Sequence, residues 1–236
     1  MPLVFSPLSE ALLDLPPKRL LPKYAFVMRQ LGDPPPIDLT MATVVERLFR
    51  DRGFHVIDAD GSTGGKDYLE RIFSLIRGTG FTVAIFSHET RPTAMANIAL
   101  ELGFAAMCGK PLVIVKSPEA AAPSDLKRTD WIEYNSRRRT AFDRKINQAL
   151  DEIERLCSWE DDLLQASLDA RSPDCGVALE RANKGFLLSG DGRFITAAER
   201  ILGILEGVDE SASLGDLERL RNEVRTFIRQ ARAAMA

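Results

Sequence analysis

This sequence of 236 residues is poor in the residue types that mark several functional classes. It contains two histidines and three cysteines with no Cys/His pairing at ligand spacing, so a zinc site is disfavoured and no metal is expected. The cysteines are far apart and odd in number, which fits a reducing, cytoplasmic compartment. The net charge of −3 gives no electrostatic case for binding nucleic acid.

Long apolar runs are also missing. None approaches the roughly 18 apolar residues that a membrane-spanning helix needs, so no membrane association is expected. The start of the chain does not match a signal peptide, because Glu10, Asp14 and Pro16 interrupt its apolar residues. Residues 1–22 instead predict an N-terminal arm with a short helix at Glu10–Leu15.

What the chain does contain, over residues 23–157, is an alternation of short apolar runs and helical patterns. The runs predict five strands, at Tyr24–Met28, Phe54–Ile57, Phe81–Phe86, Leu112–Val115 and Trp131–Tyr134. Residues at helical spacing predict helices at Leu39–Arg52, Tyr68–Arg77, from Asn97 to the stop at Gly109, and at Phe142–Cys157. Such alternation implies a parallel sheet with right-handed crossovers. The predicted fold is α/β, a flavodoxin-like, doubly wound, five-stranded parallel sheet followed by a small all-helical C-terminal segment.

Strand signals end after Cys157. Further helices are predicted at Leu163–Leu168, Val177–Leu188, Phe194–Leu205 and Leu214–Ala234. We therefore predict a separable α/β domain at 23–157 and a helical docking or regulatory domain at 158–236. These helices are the predicted contact surface for a second copy of the chain or for a protein partner.

Two loops follow the carboxyl ends of predicted strands, at Arg29–Asp38 and Asp58–Lys66. Open α/β sheets bind ligands at this edge, so both loops are expected to border a pocket. The second loop lacks the spacing of a phosphate-binding Walker motif, and a plain surface loop is the alternative. The candidate ligand-binding residues at this edge are Met28, Arg29, Asp60, Ser87 and His88.

Glu101 is the most unusual residue of the predicted third helix, because it lies between Leu100 and Leu102 and carboxylates are seldom buried unless paired. The pattern places it near the first turn of this helix, with the ligand-binding candidate Asn97 four residues earlier on the same face. Two interpretations stay open. In the first, Glu101 is a helix-terminal charge favoured by the helix dipole, with Asn97 as the N-cap. In the second, both residues face the mouth of the sheet and bind a ligand.

The motif Asn97-x3-Glu101-Leu-Gly-x-Ala-x3-Gly-Lys-Pro-x3-Val115 resembles nucleoside 2-deoxyribosyltransferase-like proteins, which overlap structurally with bacterial TIR-like nucleotide-binding domains. The resemblance covers residues 23–157. It implies that Glu101 attacks, or stabilises positive charge at, the anomeric carbon of a ribosyl group. Transferases of this family usually carry a tyrosine on the first strand, where this chain has Phe26 and Met28, so true deoxyribosyl transfer is disfavoured.

The resemblance therefore implies an N-glycosidase that cleaves the ribose–base bond of NAD or a related nucleotide and acts in antiviral defence or signalling. A carboxylate suits this chemistry, because the bond breaks through an oxocarbenium-like state. The nucleotide is the substrate or ligand, and no further cofactor is expected. The alternative is a non-catalytic nucleotide-sensing module that relays ligand occupancy to a partner through its helical segment.

Overall fold

A computed structural model of the chain describes residues 16–59, 68–121, 131–171, 173–208 and 214–236, apart from the side chains of Tyr68 and Leu214. The strands are β1 (Leu21–Met28), β2 (His55–Ile57), β3 (Thr79–Phe86), β4 (Leu112–Lys116) and β5 (Trp131–Glu133). The helices are α1 (Pro36–Asp51), α2 (Tyr68–Gly78), α3 (Pro92–Met107), α4 (Arg139–Asp169), α5 (Cys175–Ser189), α6 (Arg193–Glu206) and α7 (Leu214–Met235), with a 3-10 turn at Ser136–Arg138.

The five strands form one parallel sheet in the order β2-β1-β3-β4-β5. This is the flavodoxin-like order, in which the direction of winding reverses between β1 and β3. The predicted fold class is confirmed. The edge above β1 and β3 is the topological switch point, the place where folds of this kind bind their ligands.

Helices cover both faces of the sheet. On β3, Phe81, Val83 and Ile85 join a core with α1, α4 and α5, while Ala84 and Phe86 join a second core with α2 and α3. A strand that is covered on both faces has no polar alternation, which is why the strands stand out in the sequence as continuous apolar runs.

Two helices begin earlier than their sequence pattern predicts, and each begins with a proline. α1 starts at Pro36 and α3 at Pro92. Proline fits the first position of a helix because its fixed φ is already helical and its missing N–H would have no partner there. The predicted stop of α3 is confirmed, since Gly109 has a φ of 62°.

The C-terminal segment begins inside a long helix. α4 runs for 31 residues and joins the predicted helices Phe142–Cys157 and Leu163–Leu168 into one element. The predicted domain boundary at Cys157 therefore falls within a continuous helix. The other three predicted helices are present as α5, α6 and α7.

α5 packs directly on the sheet. A Cβ atom on Gly80 of β3 would lie 2.6 Å from the carbonyl oxygen of Leu187, so only glycine permits this approach. Phe186 and Leu187 share one buried cluster with Val83 and Ile85. The sheet and the C-terminal helices thus share a hydrophobic core.

Two predicted features lie outside the described residues, namely the helix at Glu10–Leu15 and most of the Asp58–Lys66 loop, with Asp60. None of the helices in the described ranges combines the length and the apolar content needed to cross a bilayer.

Candidate functional site at the carboxyl edge of the sheet

Buried polar residues are concentrated at one edge of the sheet. Eight polar or charged residues are buried in the described ranges, and six of them lie in or just after the carboxyl ends of β1, β3 and β4. These six are Gln30, Asp38, Ser87, Thr90, Lys116 and Ser117. Burying polar groups costs free energy unless they are hydrogen-bonded, so this cluster marks either a tightly built loop region or a site.

An ion pair joins the ends of β1 and β2. The Nε and Nη2 atoms of Arg29 donate to Oδ2 of Asp58 at 3.1 and 2.7 Å. The two side chains are only 15% and 23% exposed. The predicted ligand-binding residue Arg29 is therefore at the edge, held by a carboxylate that the sequence analysis placed in a loop without assigning it a role.

A second connection spans the switch point between β1 and β3. The hydroxyl of Thr90 accepts from the backbone N–H of Ser87 and donates to Oδ2 of Asp38, both at 2.8 Å. Asp38 lies in the first turn of α1 and is completely buried, and its other oxygen, Oδ1, has no hydrogen-bond partner among the described residues.

Gln30 also connects the loop after β1 to the start of α3. Its amide nitrogen donates to the carbonyl oxygens of Gly32 and Asp33 at 3.3 and 2.6 Å, and its amide oxygen accepts from the backbone N–H of Arg91 at 2.9 Å. The guanidinium of Arg91 also donates to the carbonyl of Gly32. The loop after β1 and the start of α3 are thus locked to each other at the switch point.

The loop after β3 also contacts β4. His88 donates its backbone N–H to the hydroxyl of Ser117 at 3.2 Å, and its ring Nδ1 lies 3.2 Å from the same oxygen. The imidazole is 43% exposed and has Glu89 and Glu119 within 4 Å of its two nitrogens. Of the predicted ligand-binding residues, Ser87 and His88 are adjacent at this edge, Ser87 buried and His88 accessible.

The two remaining ligand-binding candidates among the described residues, Met28 and Asn97, differ in accessibility. Met28 is completely buried in the core beneath α2 and α3 and presents no surface to a ligand. Asn97 is exposed on α3, and it is not the N-cap, because α3 begins at Pro92 with Arg91 as the cap residue.

The predicted position of Glu101 in its helix is wrong. It is the tenth residue of α3, about 14 Å along the axis from Pro92. Ile98 and Ala105, about one turn before and after it, are both buried against the sheet. Glu101 therefore lies on the inward face of the helix and is not a helix-terminal charge.

The carboxyl group of Glu101 has unusual electrostatics. Burial raises its pKa from 4.5 to about 7, and within the part of the chain that is described it makes no hydrogen bond or ion pair. An inward-facing carboxyl group without a partner is costly to keep ionised. Groups of this kind are candidates for chemistry, because both protonation states are populated at neutral pH.

A contact between α2 and α3 indicates where Glu101 lies along the length of α2. The rings of Phe73 and Phe104 stack with centroids 3.9 Å apart, so these residues lie at one height in the two helices. Counting back three residues in each helix puts Glu101 level with Glu70, in the first turn of α2. Glu101 thus lies at the level of the first turn of α2.

Comparisons of the chain with protein-family models, with curated proteins and with solved structures gave no match.

Sequence reasoning missed Gln30, Asp38, Thr90 and Lys116. The buried amine of Lys116 donates to three carbonyl oxygens at 3.2 to 3.4 Å and pairs with Glu133 at 3.2 Å, so it holds the chain after β4. The sequence offers one indication of a role for Gln30 and Lys116, which is that each stands at the end of a predicted strand. In the described ranges no three His, Cys, Asp or Glu residues are grouped as a metal site requires.

Proposed function

We propose that this chain is a nucleotide-binding N-glycosidase that uses Glu101 to cleave the ribose–base bond of NAD or a related nucleotide. The observation that carries the proposal is the inward-facing carboxyl group of Glu101, which has no partner among the described residues and whose pKa burial raises to about 7. The motif around it resembles nucleoside 2-deoxyribosyltransferase-like and TIR-like proteins, in which the corresponding glutamate acts on a ribosyl group. The proposed setting is a cytoplasmic effector of antiviral defence or signalling.

In the proposed reaction the C–N bond between ribose and base breaks, and its electron pair leaves with the base. Positive charge builds up on the anomeric carbon and its ring oxygen, and the carboxylate of Glu101 stabilises it. Water then adds to the anomeric carbon and releases a proton. A carboxyl group with a pKa near 7 suits this sequence, because it is able to hold or release a proton at neutral pH.

The carboxyl edge lies about 14 Å from Glu101 along α3, and its position and polar groups support binding of the part of the nucleotide that is remote from the cleaved bond. It lies at the switch point of the sheet, where doubly wound folds take up their ligands. The paired guanidinium of Arg29 and the accessible imidazole of His88 supply hydrogen-bond donors along this edge. Asp60 comes three residues after the end of β2 in the sequence, and it stays a predicted ligand contact.

The test is to incubate the purified chain with a panel of nucleotides that includes NAD, and to identify products by mass spectrometry. Glu101→Gln keeps the shape and removes the charge, and we expect a loss of about a hundredfold or more in rate. Glu152→Gln, on the exposed face of α4, is the matched control and should retain full activity. Equal turnover by wild type and a folded Glu101→Gln protein would refute the assignment.

A second candidate function is nucleotide sensing without turnover. The packing of α5 directly on β3 favours it, because a ligand-dependent shift of the sheet would reach the C-terminal helices through Gly80 and Leu187. In that case the panel yields ligand binding without products, and hydrogen exchange slows in α5 as well as at the carboxyl edge. Binding that leaves exchange in α5 unchanged would speak against a relay.

A further inference from the structure

α3 differs from the other helices of the described residues in having no charged outer face. Glu101 is the single charged residue among its 16 residues, and it lies on the inward side. In the first half of the helix, Pro92 and the polar residues Thr93 and Asn97 are exposed. The other exposed positions are Ala96, Ala99, Leu100, Gly103, Ala106 and Met107. Leu100 is 48% exposed and Met107 is 68% exposed, and an apolar helix stripe of this kind is normally covered.

Gly103 adds an independent indication of what covers this face. A glycine in the interior of a helix costs about 0.5–1 kcal/mol relative to alanine. Outside its own helix backbone, no atom of the described residues lies within 4 Å of a Cβ atom built on Gly103, so no contact seen in this part of the chain requires glycine there. Glycine at an exposed helix position instead allows the backbone of another helix to approach closely, as in small-residue helix pairs.

We propose that α3 is the contact surface of a homodimer, in which the α3 helices of two copies pack face to face about a two-fold axis parallel to them. This inference does not depend on the proposed function. It also places self-association on α3 and not on the C-terminal helices.

The arrangement of large and small residues makes this face complementary to itself. At about 100° per residue, Leu100 and Met107 lie to one side of Gly103, and Ala99 and Ala106 lie to the other. A two-fold rotation about an axis parallel to the helix brings the large side of one copy onto the small side of its partner. Leu100 then packs over Ala99 of the second copy at nearly the same height, and Met107 packs over Ala106.

Charge and area define the kind of dimer. Because the outer face carries no charge, two copies meet without repulsion and without a need for counter-ions. A face of this length covers roughly 24 Å by 10 Å, or about 240 Å², against about 800 Å² per partner in a standard interface. The expected dimer is therefore in reversible exchange with the monomer.

The test is sedimentation velocity of the full chain from micromolar to near-millimolar concentration, at low and high salt. We expect a concentration-dependent shift to the mass of two chains that high salt does not weaken, since the contact is apolar. The double variant Leu100→Glu/Met107→Glu should stay monomeric. The control Leu39→Glu/Met235→Glu places the same charges on exposed apolar side chains outside α3 and should dimerise as wild type does.

A pair of single variants tests the geometry. Leu100→Glu and Ala99→Lys should each prevent self-association, because each places an unpaired charge in the contact. Mixed together they should form a heterodimer, since the new glutamate of one chain then faces the new lysine of the other. A wild-type chain that stays monomeric, a dimer that survives Leu100→Glu/Met107→Glu, or two disrupting variants that fail to associate when mixed would overturn the proposal.

Discussion

Thr90 donates its hydroxyl proton to the carboxylate of Asp38 across 2.8 Å, and this bond joins the loop after β3 to the first turn of α1. The two residues are 52 positions apart in the sequence, and both are buried. The bond lies at the switch point of the sheet, so the region proposed to receive a ligand is built on a fixed connection between two loops.

We expect Thr90→Val to reduce the free energy of unfolding by about 1–3 kcal/mol, because it leaves the Ser87 N–H and Asp38 without their shared partner at nearly constant volume. Chemical denaturation measures the change. Thr93→Val, at an exposed position of α3, is the control and should stay within about 0.5 kcal/mol of wild type. An equally small effect of Thr90→Val would mean that water or a rearranged loop satisfies both groups.

The ion pair of Arg29 and Asp58 should contribute measurably, because its side chains are 15% and 23% exposed. Removing one partner of a fully buried pair costs about 3–5 kcal/mol, and exposed pairs contribute about 0–1 kcal/mol. We expect a value between these, near 2 kcal/mol, for Asp58→Asn. A double-mutant cycle with Arg29→Met isolates the coupling. The exposed pair Arg155 and Glu152 is the control and should show almost none.

The three central strands, β1, β3 and β4, could be predicted from the sequence because each contains an unbroken apolar run that is covered on both faces. The ends of the helices were harder to predict from the sequence. Pro36 and Pro92 were assigned to loops, although proline is accommodated in the first turn of a helix. The sequence pattern predicts separate helices at Phe142–Cys157 and Leu163–Leu168, yet the buried residues Leu164 and Leu168 continue the apolar stripe of a single helix, α4.

The buried polar residues of the candidate site could not be predicted in this way. Asp38 and Thr90 look like ordinary surface residues in the sequence, and only the parallel order of β1 and β3 brings them together. Glu101 was recognised from its apolar neighbours and its motif, but its depth in α3 depended on where the helix begins. Local patterns set the elements, while burial of single polar groups depends on tertiary contacts.

The shared core makes a prediction about truncation. The sequence predicts that residues 23–157 form a separable unit, whereas the structure shows α5 covering one face of the sheet. We expect a fragment of residues 16–157 to lack cooperative unfolding, because it exposes the apolar surface that Phe186 and Leu187 cover. Circular dichroism and thermal unfolding decide this. A fragment that unfolds as sharply as the full chain would support the separable unit.

The environment of Lys110 predicts that the free energy of unfolding rises with pH. Its amine donates to the carbonyl oxygens of Arg77 and Thr79 at 2.9 and 2.6 Å, and burial lowers its pKa from 10.5 to about 7. The folded state then binds fewer protons than the unfolded chain between these pH values, so the free energy of unfolding rises across them by up to about 1.4 kcal/mol per pH unit.

Lys110→Met should remove this rise, and the exposed Lys145→Met should retain it. Denaturant unfolding at a series of pH values above 7 provides the comparison. If the curves of wild type and Lys110→Met run parallel over that range, Lys110 keeps its proton in the folded protein and acts only as a fixed link between α2, β3 and β4.

The environment of Glu101 predicts the opposite, a free energy of unfolding that falls as pH rises. Burial raises its pKa from 4.5 to about 7, so between these values the folded state binds more protons than the unfolded chain. The free energy of unfolding therefore falls as pH rises across this window, by up to about 1.4 kcal/mol per pH unit, and the loss is complete above pH 7. Glu101→Gln carries no such charge, and we expect it to be more stable than wild type at pH 7.5 and equally stable below pH 4.5.

The sign of this difference tests whether the charge of Glu101 stabilises the fold. A stabilising charge would make the glutamine variant less stable than wild type at neutral pH. A carboxyl group kept inward for chemistry costs stability, and its removal should increase stability while any activity is lost. Unfolding curves of Glu101→Gln and of the exposed control Glu152→Gln at both pH values separate these outcomes. A glutamine variant that loses stability at pH 7.5 would show that the charge supports the fold, and the proposed catalytic role would then lose its physical basis.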